Sequence, residues 1–320
     1  MSLLSSVFGA VVRTRNKLYD RGHLPSKKLQ GPVVSIGNLS VGGAGKTPFV
    51  IALGELLKAR GIKFDVLSRG YGRKSRGIAL VDPNGLASDF GDEPILIARK
   101  LGAPVIVGED RYEAGRSAEQ KFGPQMHLLD DGFQHRALAR DFDIVLVTPE
   151  DAKDQLLPAG RLREPLSSLS RADAIVLTTG ANETDFPLQG KLIWRAKRGI
   201  VPGNLPSSPV AFCGIARPQP FLLQLRLFGI HPVAEAIFRD HHSYTESDIR
   251  DLLKAKAESG ADGFVTTEKD EVNLGPFRER LQPLGVAPLK MQIVDGPRVV
   301  DAILAGIESK RHSRVAQPVL

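Results

Sequence analysis

The 320-residue chain holds a single cysteine, Cys213, which excludes an internal disulfide and a cysteine-ligated metal cluster and suits a reducing compartment. No apolar run approaches the roughly 20 residues of a membrane-spanning helix, so a crossing of the bilayer is not expected. Internal repeats and low-complexity tracts are also missing. Core-forming residues are not scarce: 42% of the chain is hydrophobic and 25% charged, which rules out a largely disordered protein. The length exceeds what one compact domain usually takes, so a large unit and a smaller one are expected.

Negative charge is the scarcer sign. With 36 Asp+Glu against 43 Lys+Arg, the formal charge is +7 and the pI about 9.5, a balance that suits nucleic acid, a lipid surface or a phosphorylated substrate without choosing among them. Part of the surplus lies within residues 1–30. Leu3, Leu4, Val7, Phe8 and Val11 recur at helical spacing, and Arg13, Arg15, Lys17 and Arg21 follow them, the reverse of the order in a secretion signal. This predicts an amphipathic helix that lies on a membrane, with six Lys/Arg against Asp20 alone to attract anionic lipid; the alternative is a helix packed on the protein's own core.

After Gly31-Pro32, short β-branched runs alternate with longer helical stretches, as in a parallel α/β sheet. Strands are expected at Val33–Ile36, Phe64–Leu67, Val105–Val107, His127–Leu129, Asp143–Val147, Ala174–Leu177 and Lys191–Trp194, with helices at Pro48–Arg60, Glu93–Leu101 and Arg111–Lys121. The Pro/Gly/Ser-rich stretch 198–209 reads as a linker. Beyond it, "VAFCGIA" and "GFVTTEKD" read as strands, and Tyr244–Ala257 and Pro297–Lys310 as helices. The expected organisation is a membrane helix at 1–30, a nucleotide-binding core at 31–205 and a smaller α/β unit at 206–320.

The stretch "SVGGAGKT" follows a strand and opens a helix, the setting in which backbone N–H groups hold phosphate oxygens. Residues Ser40, Val41, Gly42, Gly43, Ala44, Gly45, Lys46 and Thr47 are therefore the expected phosphate loop. Lys46 would reach the β and γ phosphates, and the Thr47 hydroxyl would ligate Mg²⁺. Ser40 stands where the strict pattern has glycine. A second metal-side carboxylate is offered by "MHLLDDGFQH", with Asp130 the metal-side group beside Asp131, and with Gln134 and His135 close enough to face the γ-phosphate. Val41 occupies the position of the signature lysine of partitioning and metallochaperone ATPases. The nearest approach to a guanine-reading Asn-Lys-x-Asp is "TTEKD", with Thr267 in place of Asn. ATP is thus favoured over GTP, with Lys269 and Asp270 expected near the base. The rival reading is a GTPase or metallochaperone-type nucleotide switch.

Together, "SIGNLSVGGAGKTP", "SRGYGRKS", "GDEP", "LLDDGFQH", "LPAGRLREP", "DHHSYT" and "TTEKD" make the chain resemble the tetraacyldisaccharide 4'-kinases, over about residues 33–270 and in consistent order. The resemblance implies a P-loop hydrolase-like parallel sheet with a second, smaller α/β domain and the membrane helix. It also implies ATP with Mg²⁺ as cofactors and transfer of the γ-phosphate to the 4'-hydroxyl of tetraacyldisaccharide 1-phosphate, forming lipid IV-A on the cytoplasmic face of the bacterial inner membrane. No nucleic acid and no obligate protein partner are implied. By the same resemblance Asp92 is the acceptor-side base, paired with His241 from the second unit in a cleft that closes; a plain helix N-cap is the alternative for Asp92, and His242 and Asp240 are rivals in the pairing. Asp131 and Arg163 join the catalytic set, with Arg161 a weaker candidate. Tyr71, Arg69, Arg73 and Glu164 fall to the substrate, and Lys74 and Arg76 extend the basic cluster.

Overall fold

A computed structural model describes residues 3–201 and 203–315. Met1, Ser2, Pro202 and residues 316–320, which fall within the expected helix, linker and C-terminal unit, lie outside the described residues. The elements run α1 (Leu3–Asp20), β1 (Val33–Asn38), α2 (Lys46–Ala59), β2 (Phe64–Ser68), β3 (Ala79–Leu80), α3 (Ala87–Phe90), α4 (Asp92–Leu101), β4 (Val105–Val107), α5 (Arg111–Phe122), β5 (Met126–Asp130), β6 (Phe142–Val147), β7 (Ala174–Thr178) and β8 (Leu192–Ile200). They continue with β9 (Val210–Cys213), α6 (Pro218–Leu227), β10 (Ala234–Ile237), α7 (Glu246–Ser259), β11 (Phe264–Thr267), α8 (Glu268–Leu274), β12 (Leu284–Ala287), β13 (Leu289–Ile293) and α9 (Gly296–Val315).

Every residue of β1, β2, β5, β6 and β7 is buried, which explains why these strands read as unbroken apolar runs rather than alternating ones. They form the middle of a nine-stranded sheet in the order β13-β8-β7-β6-β1-β5-β2-β4-β3, parallel except where β13 and β3 close its edges. On one face Phe49, Leu53 and Leu57 of α2, Ile95 and Ile97 of α4, and Val300 and Ile303 of α9 pack on Val34, Ile36 and Ile144. On the other, Leu39, Phe133, Val145, Leu169 and Ile175 form a second core, and Ala114 and Ala118 of α5 pack with Val33 and Leu67 in a third. Burying each such aliphatic side chain contributes roughly 1.5–3 kcal/mol. The chain leaves β1 toward one edge and later leaves β5 toward the other, so the loop after β1 sits where the direction of winding reverses, at the carboxyl ends of the strands.

A second, four-stranded parallel sheet, β10-β9-β11-β12, carries α6, α7 and α8. Two expectations change here. The stretch 198–209 is not all linker, because β8 extends through Ile200. The expected unit 206–320 is divided, because β13 pairs antiparallel with β8 and α9 joins the core of the large sheet. Met291 and Ile293 of β13 are buried there. A short strand beside a proline carries no label for the sheet it joins, and only the apolar face waiting at the edge decides it.

Helix α1 buries Ser5, Gly9 and Asn16 and exposes Leu3, 81% accessible, with Leu4, Val7 and Val11. Phe8 departs from that exposed row and packs on the second core of the large sheet. Close approach demands the glycine, since a Cβ on Gly9 would lie 2.7 Å from Leu156. Among the described residues no helix is long and apolar enough to cross a membrane.

Candidate phosphotransfer site

Gly42 and Gly45 adopt φ of 92° and 89°, a region that side-chain-bearing residues rarely enter, and this lets the chain turn from β1 into α2. Gly45 caps α2 without any side-chain bond, so first-turn N–H groups of the helix face outward for an anion. The start of the loop is held differently from its end. The Val41 N–H donates to the Arg161 carbonyl at 2.8 Å, the Arg163 N–H donates to the Leu39 carbonyl at 2.7 Å, and Ser40 bridges to Leu162. Ser40 and Val41 are thus fixed by the 161–163 segment, whereas the turn proper runs from Gly42 to Thr47.

Lys46 Nζ donates to Asn38 Oδ1 at 3.0 Å and lies 3.4 Å from Asp131. Arg163 grips Asp131 with both terminal nitrogens, at 3.0 and 2.8 Å, and also donates to Asn38 Oδ1 at 2.6 Å. Burial pushes the Asp131 carboxyl up, but Lys46 and Arg163 outweigh it and hold the group well below the usual carboxylate range. Asp130 behaves oppositely. Burial, Glu93 and Asp131 push it up to about 7; Ser68 Oγ donates to one of its oxygens, and the other is buried without a partner. A buried, orphaned carboxylate oxygen suits a hard divalent cation, which Mg²⁺ sites commonly hold with one or two protein carboxylates plus phosphate oxygens. Gln134 donates to the Asn38 carbonyl at 3.0 Å while its Oε1 is buried and unpartnered. Burial, Arg111 and Arg140 depress His135 to about 4, so near neutrality it offers no positive charge to a phosphate.

Asp92, 3% accessible, opens α4, but Gly91 is the N-cap and no side-chain cap bond exists there. Its carboxylate instead accepts from the Glu93 N–H at 2.8 Å, from Asn273 Nδ2 at 3.0 Å and from His241 Nδ1 at 2.9 Å. Burial raises Asp92, but the His241 bond, Lys269 and Asn273 bring it down to about 2. His241 itself has φ 55°, a strained setting for a non-glycine residue. Burial lowers its pKa, and the Asp92 bond more than reverses this and raises it above the ordinary 6.5. Its Nε2 lies 3.9 Å from Asp240, and its ring centroid is 5.1 Å from that of the exposed Tyr71. His242 turns away, bonded to Asp248 at 3.0 Å and stacked on Phe238.

Other expected residues fall in and out of this cleft. Lys269 pairs with Glu93 at 3.1 Å and sits beside Asp92, while Asp270 is buried under Gly214, Tyr244 and Thr267. The loop carrying Arg69, Tyr71 and Arg73 folds on the start of α4, where Gly70 and Gly91 nearly touch; Arg73 donates to the Gly77 carbonyl at 2.6 Å, and one of its terminal nitrogens is buried without a partner. Arg161 pairs with Asp154 at 2.8 Å. Glu164 does not join the cleft: it is buried against Asn16 at 2.7 Å and Arg171 at 2.7 Å and braces α1. Sequence reasoning missed Arg111, buried at the start of α5, whose guanidinium donates to the Glu109 carbonyl at 2.9 Å; burial and Arg69 lower its pKa, with Asp131 and Asp130 acting the other way. Arg198 was also missed; it donates to the Gly43 carbonyl at 3.0 Å. No pattern marked either, beyond the Asp110 cap that places Arg111 at the start of α5.

A glycine turn between strand and helix, an orphaned buried carboxylate and an Asp92–His241 pair across a cleft suit a nucleotide-dependent phosphotransferase of mixed α/β fold with a large parallel sheet. Comparison with known proteins names the kind. The family model for tetraacyldisaccharide-1-P 4'-kinase matches residues 1–308, and the chain belongs to that family. A tetraacyldisaccharide 4'-kinase of Koribacter versatilis is 52% identical over 97% of this chain and 100% of its own length, and one of Geobacter metallireducens is 38% identical over 95% and 96%. The crystal structure of LpxK from Aquifex aeolicus in complex with ATP superposes with a TM-score of 0.78 at 35% identity, covering 95% of this chain and 97% of that one. The nucleotide-switch alternative falls with this result.

Proposed function

We infer that this protein transfers the γ-phosphate of ATP, with Mg²⁺, to the 4'-hydroxyl of tetraacyldisaccharide 1-phosphate, a step of lipid A synthesis. Family membership supplies the reaction, and one observation carries the mechanism: Asp92 and His241 meet at 2.9 Å across the cleft, beside Tyr71. Bound MgATP supplies the phosphoryl group and part of the charge neutralisation. Lys46, Arg163 and the free amides of the Gly42–Thr47 turn would hold its phosphate oxygens, Arg111 and Gln134 would support them, and Thr47 and Asp130 would hold the cation.

On the acceptor side, Asp92 has its oxygens engaged by His241, Asn273 and the Glu93 amide, and it remains an anion near neutrality. It therefore orients the His241 Nδ1–H, and His241 Nε2 takes the proton of the sugar hydroxyl. Tyr71, Arg69 and Arg73 contact the sugar and its existing phosphate. The large lobe (31–200 with 289–315) carries the nucleotide and the small lobe (206–287) closes on it. The exposed Leu3, Leu4, Val7 and Val11 seat the enzyme peripherally on the cytoplasmic face of the inner membrane. Incubation with labelled ATP and tetraacyldisaccharide 1-phosphate tests the reading: label should enter the lipid, and a folded, ATP-binding protein that leaves the lipid unlabelled refutes it.

A further inference from the structure

Helix α1 has two flanks between its buried and its exposed rows. One turns to the cleft, where Arg15 donates to the Gln134 carbonyl at 3.1 Å. At 3.6 residues per turn, Arg13 and Lys17, one turn apart, fall on the opposite flank. There, with Asn16, Asp20, Ser167 and Arg171, they line a cavity of about 150 Å³.

Its polar groups are unevenly used. Asp20 is taken by Arg136 at 2.7 Å and Arg171 by Glu164 at 2.7 Å, whereas Arg13 and Lys17 have no acidic partner among the described residues. Asn16, 8% accessible, donates to Glu164, but its Oδ1 has no partner, and Arg171 Nε is likewise buried and unbonded. The site therefore offers free cations, a spare N–H donor and a spare acceptor together. A helix lying in the interface with its apolar row in the acyl region holds its flanks at headgroup depth.

We propose that this cavity binds the headgroup of an anionic phospholipid, a phosphodiester bearing a free hydroxyl. Arg13 and Lys17 take the phosphate, Arg171 Nε adds a donor, and Asn16 Oδ1 accepts from the hydroxyl. The lipid is a resident of the membrane and not the substrate, since the cavity lies on the flank away from the cleft. This rests on the reading that α1 lies on a membrane.

The test is co-sedimentation of the full chain with vesicles of phosphatidylcholine alone and of phosphatidylcholine containing phosphatidylglycerol. Arg13→Gln with Lys17→Gln, and separately Ser167→Glu, should each lower partition onto the mixed vesicles about tenfold and leave partition onto the neutral ones unchanged. The equal-charge control Arg21→Gln with Lys28→Gln, away from the cavity, should lose distinctly less. Equal losses in control and cavity variants would mean diffuse charge attraction and overturn the site. A rise in KM for the lipid substrate in uncharged detergent micelles, caused by the cavity variants, would make the substrate's own phosphate the ligand and also overturn it. Wild-type protein absent from both kinds of vesicle would instead refute the membrane reading on which the site depends.

Discussion

The two sides of the cleft are built in opposite ways. On the nucleotide side Lys46, Asn38, Asp131 and Arg163 all belong to the large lobe, with Lys46 meeting Asn38 eight positions away and Arg163 reaching Asn38 across 125. On the acceptor side Asp92 meets His241 across 149 positions and Asn273 across 181, so this half exists only when the small sheet docks on the large one. The first side is thus assembled within one lobe. The second is assembled from two, so its geometry depends on how they meet.

The largest expected effect breaks the long-range side. His241→Ala and Asp92→Ala should each lower kcat about 10²–10⁴-fold while ATP affinity is retained, and the double variant should lose little more than either alone. Multiplicative losses in steady-state kinetics would show that the two do not act as one unit. Next, Lys46→Ala and Arg163→Ala should lower kcat about 10²–10³-fold, and unlike the first pair they should also weaken ATP in a binding titration. If ATP affinity fell equally in all four variants, the division between the two sides would collapse.

Proton placement gives a finer test. Because Asp92 raises the His241 pKa above 6.5 and the neutral imidazole is the working form, kcat should climb with pH through a value above 6.5 and level off beyond it. Asn273→Ala, which removes one donor from Asp92, should displace that acidic limb with a loss in rate of about tenfold or less. An acidic limb near the Asp92 value of about 2 would return the base role to the carboxylate. The smallest catalytic effect is expected at Glu164. Glu164→Ala strands Arg171 and frees Asn16, so thermal unfolding should show a loss of about 3 kcal/mol, with a smaller change in turnover per folded molecule than at any cleft residue.

How legible each part was follows from the same contrast. The glycine loop, Asp130 and Asp131 were readable because the chemistry of a strand end and a helix start is written in adjacent residues. The family motifs carried Asp92 and His241 into one list, but the choice of His241 over His242 needed the small-lobe geometry that turns His242 onto Phe238 and Asp248. The place of Glu164 against α1 was not readable, because a charged residue beside Arg163 looks the same whether it faces a cleft or a helix. Arg111 and Arg198 were invisible, since single arginines after a cap or along a strand carry no spacing to mark them.

By itself the sequence determined the parallel α/β core, the glycine turn from strand to helix at Gly42–Thr47 and the amphipathic start, because these depend on apolar periodicity, glycine conformation and charge within short windows. Tertiary structure alone decided that β13 and α9 return to the large sheet, that Ser40 and Val41 are pinned by the 161–163 segment, and that Asn273 and Lys269 close around Asp92 and Glu93. The physical reason is that edge pairing and buried charge clusters draw their free energy from partners far along the chain. Short-range pattern carries no information about which distant partner will be there.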